Sequence, residues 1–223
     1  MNRNILDKSI SSISNGTLTR YTTLPFLLDM LVRKKIVLLP PDSWPDKNDS
    51  EVMKEYKCRK KLSCLLALCF SQGDDTIHHW TAFAKGVAGC RIDFDVSKLC
   101  EAIQTFKGFK RITIRPVSYR KVNQIKSSTI KLDEMPFTKR WPYRCEEEFR
   151  IIYESNSSKE SNKKLIELSI KLDCIRSITL SQSMPKSVFK VIKNLLKNTT
   201  GIRRVSQSNI LENSIWIGKF KRS

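Results

Sequence analysis

The stretch that decides the fold is Leu62-Ser63-Cys64-Leu65-Leu66-Ala67-Leu68-Cys69-Phe70-Ser71. It is largely apolar, and its length and composition are typical of a strand that is buried at the centre of a sheet. The polar sequence Gln72-Gly73-Asp74-Asp75 follows it and predicts a turn. We therefore expect the core of this protein to be built around a buried strand at 62–71.

Shorter segments on either side extend the predicted sheet and cover it. Strand patterns occur at 17–22, 36–39, 90–94, 111–115, 146–153, 165–170 and 175–180, and we predict a further short strand in the tail at Ser214 to Phe220. Helical patterns occur at 25–35, 50–61, 77–84, 96–106 and 185–198, the last with Val188, Val191, Ile192 and Leu195 on one face. Strands outnumber helices and do not alternate regularly with them. We predict an α+β fold with a split or mainly antiparallel sheet and flanking helices.

The length of 223 residues fits one domain, and no internal repeat divides the chain. We predict a single domain over 1–223, with an N-terminal extension at 1–16 and a flexible loop at 154–164. No apolar run approaches the ~20 residues that a membrane span needs, and the first residues lack the apolar core of a signal peptide. We therefore expect a cytoplasmic protein without a membrane partner.

The seven cysteines indicate a reducing compartment. Their number is odd, and no pair has the C-x-x-C spacing that many zinc sites use. Cys64, Cys69 and Cys90 lie in apolar segments, so we expect them to be small buried residues. The two histidines, His78 and His79, are adjacent and would point about 100° apart on a helix. With no further ligand nearby, we predict no metal site.

The net charge of +19 is concentrated in the second half of the chain. Residues 1–100 carry 15 basic and 11 acidic side chains, whereas residues 101–223 carry 26 and 11. Such an imbalance is typical of proteins that contact a phosphate backbone. Nucleic acid is the expected partner. An acidic protein, or a solvated lysine-rich surface that binds no polyanion, stays an alternative.

The sharpest local motif is Glu146-Glu147-Glu148-Phe149-Arg150-Ile151-Ile152. On a strand, Glu146, Glu148 and Arg150 share one face, and we expect them to line a cleft or an outer face. Carboxylates that lie close together raise one another's pKa, whereas a neighbouring arginine lowers it. The trio therefore suits acid–base chemistry or binding of a sugar hydroxyl. A solvated strand face that discourages edge pairing is the alternative.

A basic stretch at 106–126 interleaves cations with aromatic residues, as nucleic-acid-binding surfaces do. The aromatic residues suit the core equally well. Together with the lysines of the 185–198 helix, the candidate nucleic-acid-binding residues are Lys107, Lys110, Arg111, Arg115, Arg120, Lys121, Lys190 and Lys193.

Several common catalytic motifs are missing. There is no G-x-S-x-G turn of a serine hydrolase. Neither the G-x-G-x-x-G of a dinucleotide-binding fold nor the G-x-x-x-x-G-K phosphate loop occurs.

An ordered set of segments resembles a bacterial family known as domain of unknown function two-nine-seven-one. The segments are Leu18-Thr19-Arg20-Tyr21-Thr22, Asn48-Asp49-Ser50-Glu51, Cys69-Phe70-Ser71, Trp80-Thr81-Ala82-Phe83-Ala84, Gly89 to Asp95, Val117-Ser118-Tyr119, Glu146 to Arg150 and Ile175 to Leu180. The resemblance covers about residues 18 to 215. Members of that family are often found among mobile and phage-defence genes, which implies a toxin or defence role.

More remotely, the order of elements resembles the ADP-ribosyltransferase fold. That fold places an arginine, a serine and a catalytic glutamate on successive strands, and here Arg20, Ser71 and Glu148 occur in that order. The resemblance implies NAD as substrate. Arg20 would hold a phosphate or ribose of NAD, Ser71 would orient the nicotinamide ribose, Glu148 would stabilise the transition state and Glu146 would orient or deprotonate the acceptor. The implied cofactor-binding set is Arg20, Tyr21, Trp80 and Arg150.

The sequence thus favours an NAD-dependent ADP-ribosyltransferase that acts on nucleic acid or a nucleic-acid-associated protein. The second hypothesis is a non-enzymatic nucleic-acid-binding module or sensor. The third is a metal-dependent nuclease that uses Asp and Glu carboxylates. Loss of NAD turnover in a Glu148→Gln variant separates the transferase hypothesis from the other two, and sensitivity to a chelator identifies the nuclease.

Overall fold

The computed structural model describes residues 16–127 and 129–221. Of these, residues 16–18, 35–73 and 96–170 form a first compact unit, and residues 19–34, 74–95 and 171–221 form a second. The single domain over 1–223 stays a prediction. The predicted extension at 1–16 lies outside the described residues except for Gly16.

The strands are β1 (Thr17–Thr23), β2 (Lys35–Leu38), β3 (Cys64–Ser71), β4 (Gly89–Asp95), β5 (Ile112–Pro116), β6 (Ser118–Arg120), β7 (Thr138–Arg140), β8 (Glu148–Ser155), β9 (Ile166–Ser169), β10 (Ile175–Leu180) and β11 (Val205–Gln207). The α-helices are α1 (Leu24–Arg33), α2 (Lys47–Arg59), α3 (Ile77–Phe83), α4 (Val96–Gln104), α5 (Val122–Lys126), α6 (Lys186–Thr200) and α7 (Ser214–Phe220). Short 3₁₀ helices include Leu132–Phe137, Trp141–Glu146 and Ser158–Glu160.

In the first unit, β8 is the middle strand of a three-stranded antiparallel arrangement. It pairs with β3 on one side, in a register that sets Ser71 opposite Glu148, and with β5 on the other, where Arg115 lies opposite Arg150. Both faces of β8 are buried. The prediction of a buried strand at 62–71 is confirmed, because Cys64 to Leu68 of β3 are buried throughout.

Two smaller strand pairs complete the sheets of the first unit. Strand β2 pairs antiparallel with β9. Strands β6 and β7 pair in parallel, with Arg120 opposite Arg140.

Helix α2 packs onto the core of the first unit through Met53 and Tyr56, which contact a cluster that includes Leu65, Phe137 and Ile152. Burying such a side chain fully stabilises the fold by about 1.5–3 kcal/mol. The helix begins at Lys47, earlier than the predicted start at Ser50, because the side chain of Asp46 accepts a hydrogen bond from the Asn48 backbone at 3.0 Å and caps the first turn.

The second unit contains β1 from Thr19 onward, and its strand order is β11-β10-β4-β1. Strand β10 pairs antiparallel with β4 and parallel with β11. Helix α6 buries Leu196 and ends at Gly201, whose φ of 72° favours glycine because it is left-handed.

The strand that we predicted at Ser214 to Phe220 is wrong, because this segment is helix α7. The side chain of Asn213 accepts hydrogen bonds from the backbone of Ile215 and Trp216 and so caps the helix. Trp216 and Phe220, four residues apart, then contact each other with ring centroids 5.4 Å apart. The local cap and this aromatic contact therefore favour a helix here.

The predicted fold class is confirmed. Antiparallel pairing predominates among the strand pairs whose register is described, and helices flank the strands. In the predicted flexible loop at 154–164, Glu160 binds Tyr153 at 2.8 Å and Arg111 at 2.9 Å. The flexibility of this loop stays a prediction.

Candidate active site

The Glu146–Arg150 motif straddles a sharp change of chain direction. Glu146 ends the 3₁₀ helix Trp141–Glu146, Glu147 adopts a left-handed φ of 40°, and β8 begins only at Glu148. The prediction that Glu146 shares a strand face with Glu148 and Arg150 is therefore wrong. The two glutamates are brought together instead by Lys139 of β7, whose Nζ lies 2.6 Å from Glu146 Oε2 and 3.1 Å from Glu148 Oε2.

The expectation that these residues line a cleft or a solvated face is also wrong. Glu146, Glu148 and Arg150 are 5%, 6% and 0% exposed. Charged groups are buried at this depth only when they are paired. Asp49, at the N-terminal end of α2, supplies the further partner, because both of its carboxylate oxygens bind Arg150. We call Asp49, Lys139, Glu146, Glu148 and Arg150 the charge network.

Arg150 orients the network from its centre. Its Nε donates to Glu148 Oε1 at 2.8 Å and its other nitrogens bind Glu148 Oε2, Asp49 and the Pro136 carbonyl. These five hydrogen bonds use all the donors of a guanidinium. The predicted contact of Arg150 with a cofactor is corrected accordingly. Arg150 positions Glu148 and Asp49, and the sequence alone could not reveal this because Asp49 lies about a hundred residues away.

The pKa values of two carboxyl groups of the network are shifted in opposite directions. Burial would raise the pKa of Glu148, but the charge and hydrogen bonds of Arg150, with the charge of Lys139, outweigh it and lower the pKa to about 2. Burial raises the pKa of Asp49, and Arg150 only partly offsets it. For Lys139, the neighbouring Glu148 and Glu146 overcome burial and raise the pKa. Glu148 and Lys139 are therefore ionised at neutral pH.

The charge network borders a cavity of about 340 Å³ in the first unit. Asp49 and Lys139 belong to both. The cavity is lined by α2 with its N-cap, by β7 and by the segments near 125–135. Its side chains are Asp46, Asn48, Asp49, Val52, Arg59, Ile125, Ile130, Met135, Thr138, Lys139 and Arg140. The lining combines carboxylates, cations and an apolar wall.

Ser71 lies at the end of β3, directly opposite Glu148. It is buried, and its Oγ accepts a hydrogen bond from the Gly73 backbone at 3.3 Å. A Cβ at Gly73 would approach Glu147 Cδ to 2.8 Å, so a side chain there would require Glu147 to shift. The turn after β3 is thus packed against Glu147, and the strand register places Ser71 beside Glu148. The ribose contact of Ser71 stays a prediction.

The remaining predicted cofactor residues lie in the second unit. Tyr21 Oη and Trp80 Nε1 both donate to Asp75 Oδ1 at 2.8 Å, and Arg91 lies 3.3 Å from the same carboxylate. Burial and the bond to Asp75 raise the pKa of Tyr21. Arg20 is half-buried on β1. The structure thus joins Tyr21 and Trp80 through Asp75, and their NAD contacts stay predictions.

Trp80 also borders a second cavity, of about 280 Å³, within the second unit. Its lining is rich in hydroxyl groups and includes Thr81, Ser181, Ser183 and Ser208.

The predicted nucleic-acid-binding residues differ in their surroundings. Lys107, Lys110, Arg120, Lys121 and Lys190 are exposed. Arg111 is bound by Tyr153 and Glu160, Arg115 lies over the Phe137 ring at 4.8 Å, and Lys193 lies over the Phe189 ring at 5.4 Å. Contact of these residues with nucleic acid stays a prediction.

Asp49 and Lys139 are two site residues that were not predicted from the sequence. Asp49 gave no signal because its partner Arg150 is distant in sequence, and Lys139 gave none because it joins Glu146 and Glu148 from a separate strand. Among the described residues, no three His, Cys, Asp or Glu side chains are grouped as metal ligands would be. In the same residues, no helix is long and apolar enough to span a membrane.

A solved structure that is similar to this chain is that of Thermus sp. 2.9 DarT in complex with NAD+. The two chains are 10% identical, and the similarity covers 87% of this chain and 96% of that chain with a TM-score of 0.43. No protein-family model matches the sequence, and no curated protein matches it either. Membership of the bacterial family of unknown function stays a prediction that rests on the segments quoted above.

Proposed function

We propose that this protein is an NAD-dependent ADP-ribosyltransferase whose acidic groups lie in the charge network of the first unit. The observation that carries the proposal is the position of that network. Asp49 and Lys139 line a cavity of about 340 Å³, and Glu146 and Glu148 bind the same lysine. This volume is within the range of small-molecule sites, about 300–1,000 Å³. The cavity offers carboxylates for sugar hydroxyls, cations for phosphates and an apolar wall for a ring.

The chemistry needs a buried negative charge. When ADP-ribose is transferred, the bond between the ribose C1′ and the nicotinamide nitrogen breaks, nicotinamide leaves with the bonding electrons, and the sugar gains positive charge. With all its groups ionised, the network holds three carboxylates and two cations, a net charge of −1. A fixed negative charge in a water-poor environment stabilises such a transition state more strongly than it would in water.

The opposite pKa shifts divide the roles between two carboxylates. Glu148 stays ionised, and both of its oxygens are held by cations, so it acts through its charge. Asp49 has a raised pKa and lines the cavity, so it is the better placed group to take a proton from an acceptor. Glu146, which the sequence suggested for that role, binds Lys139.

Further parts of the proposal rest on the sequence resemblance and on charge. Ser71, which lies opposite Glu148, orients the ribose of NAD. The acceptor is nucleic acid or a protein associated with it, in keeping with the net charge of +19. The biological role is that of a toxin or phage-defence effector.

The test is release of nicotinamide from NAD by the purified protein, with and without RNA, DNA and cell lysate. We expect Glu148→Gln to lower the rate by about 10²–10³-fold, as loss of one fixed electrostatic group does. The matched control is Glu154→Gln on the same strand, whose carboxylate binds Tyr56 and Lys60 outside the charge network. Equal rates for both variants, or no release with any acceptor, would overturn the proposal.

The second candidate function is a nucleic-acid-binding module without catalysis. The observation that favours it is a cluster of exposed cations around an exposed tryptophan in the first unit, described next.

A further inference from the structure

Trp141 is an exposed tryptophan with two cations close to its ring. It is 40% exposed, with Lys121 Nζ 5.3 Å and the Arg144 guanidinium carbon 4.9 Å from its ring centroid. Two further arginines, Arg120 and Arg140, immediately precede Lys121 and Trp141 in the sequence. We call Arg120, Lys121, Arg140, Trp141 and Arg144 the basic–aromatic platform.

The pairing of β6 with β7 explains how this platform is assembled. The two strands are parallel, and their register sets Arg120 directly beside Arg140. Neighbouring strands lie about 4.8 Å apart, and like charges at paired positions destabilise a sheet. Within the described residues, no acidic side chain forms an ion pair with either arginine, nor with Lys121 or Arg144. An anion bound at the platform would therefore reduce the repulsion between Arg120 and Arg140.

The aromatic ring narrows the class of anion. A tryptophan that already lies against lysine and arginine suits a flat π-system, because bases stack on aromatic rings and on guanidinium planes alike. Phosphates next to such a base would neutralise the paired arginines. In a duplex the base faces are covered by their neighbours, whereas in a single strand they are free to stack.

We infer that the basic–aromatic platform binds single-stranded nucleic acid, with a base on Trp141 and phosphates at Arg120 and Arg140. Arg140 also lines the cavity beside the charge network, so a strand bound here reaches the edge of the proposed active site. Binding at the platform does not depend on the proposed transferase activity, whereas the bound strand's role as acceptor does.

The test is fluorescence anisotropy of labelled 20-nucleotide oligonucleotides, as single-stranded DNA, single-stranded RNA and duplex DNA, without NAD and at several salt concentrations. We expect either single strand to bind more tightly than the duplex, and the two single-strand arms show which nucleic acid is preferred. Trp141→Ala should weaken single-strand binding by about tenfold, and Trp141→Phe by less, because stacking on an aromatic side chain contributes this much per base. The matched control is Trp216→Ala, which removes a tryptophan that is 69% exposed on α7.

The arginine pair is tested by Arg120→Gln combined with Arg140→Gln. Loss of two phosphate contacts should reduce the slope of log affinity against log salt by about 1.4. Lys164→Gln with Lys171→Gln removes the same charge from two exposed lysines outside the predicted nucleic-acid-binding set and should leave the slope unchanged. Unchanged binding in Trp141→Ala, or equal losses in both double variants, would overturn the inference.

The Glu148→Gln variant separates this inference from the proposed function. It should bind single strands as the wild type does while losing nicotinamide release. Nicotinamide release thus tests the proposed catalysis, and fluorescence anisotropy independently tests binding at the platform.

Discussion

Glu148 is a buried carboxylate that stays charged because Arg150 gives it two hydrogen bonds and Lys139 a third. Removing one partner of a buried ion pair commonly costs about 3–5 kcal/mol, because the other charge is left uncompensated. Loss of any one member of the charge network should therefore destabilise the fold, because it leaves a buried charge uncompensated. The network leaves Glu148 ionised and Asp49 with a raised pKa, which is the division of roles that the proposed reaction uses.

The pH dependence of the free energy of unfolding should reveal the contribution of Glu148 directly. The pKa of Glu148 is about 2 in the folded protein, against an ordinary value of 4.5. A carboxyl group whose pKa is lower in the folded than in the unfolded protein stabilises the fold at pH values above its unfolded pKa. This contribution is lost as the pH falls from about 4.5 to about 2. We expect the free energy of unfolding to fall by about 3 kcal/mol over this window from Glu148 alone.

Urea unfolding of the wild type and Glu148→Gln, in pH steps from 2 to 7, measures this contribution. The variant should show a flatter curve below pH 4.5. Parallel curves for the two proteins would mean that the folded structure does not hold Glu148 ionised.

Helix α6 shows where a pattern of residues misleads. In the sequence, Val188, Val191, Ile192 and Leu195 form an apolar stripe on one face of this helix, the kind of face that usually packs against a core. In the structure Leu195 is 46% exposed, Val188 and Val191 are exposed as well, and the buried residue is Leu196. A wide apolar face leaves the exact rotation of a helix undetermined, so contact with the sheet decides which part of that face is buried.

Two adjacent leucines therefore make a matched test of this helix. Leu196→Ala should lower the free energy of unfolding by about 2–5 kcal/mol, because it leaves a cavity in the core. Leu195→Ala should change it by no more than about 0.5 kcal/mol, as substitutions at the surface do. Chemical denaturation of both variants gives the comparison, and a larger loss for Leu195→Ala would restore the face that the sequence suggested.

The whole chain carries a net charge of +19, and its charges act at two levels. Exposed cations repel one another and attract polyanions over distances that salt screens, about 10 Å at 0.1 M. The buried charge network is screened far less. Global stability and the local network should therefore respond differently to salt.

We expect the melting temperature to rise when sodium chloride is increased from 10 to 150 mM, because screening relieves the repulsion between exposed lysines and arginines. The rise should be the same in Glu148→Gln as in the wild type. Differential scanning calorimetry measures both. A melting temperature that falls with salt would show that exposed ion pairs outweigh the repulsion.

The sequence by itself determined the features that depend on local chemistry or on composition. The buried run at 62–71 had to become a strand inside the protein, and β10 was predicted at 175–180, the range that the structure shows. Strands that do not alternate with helices led to the α+β class. Glu148 and Arg150 were found because they lie two residues apart on one strand.

Only the tertiary structure decided what depends on partners that are distant in the chain. Because Glu147 adopts a left-handed backbone conformation, Glu146 lies outside β8. Glu146 and Glu148 nevertheless lie close together, because both bind Lys139. Asp49 joined the network from α2, and β6 and β7 set Arg120 beside Arg140. Periodicity describes only which residues share a face of their own element. Which face is buried, and which charges meet there, follows from packing between elements.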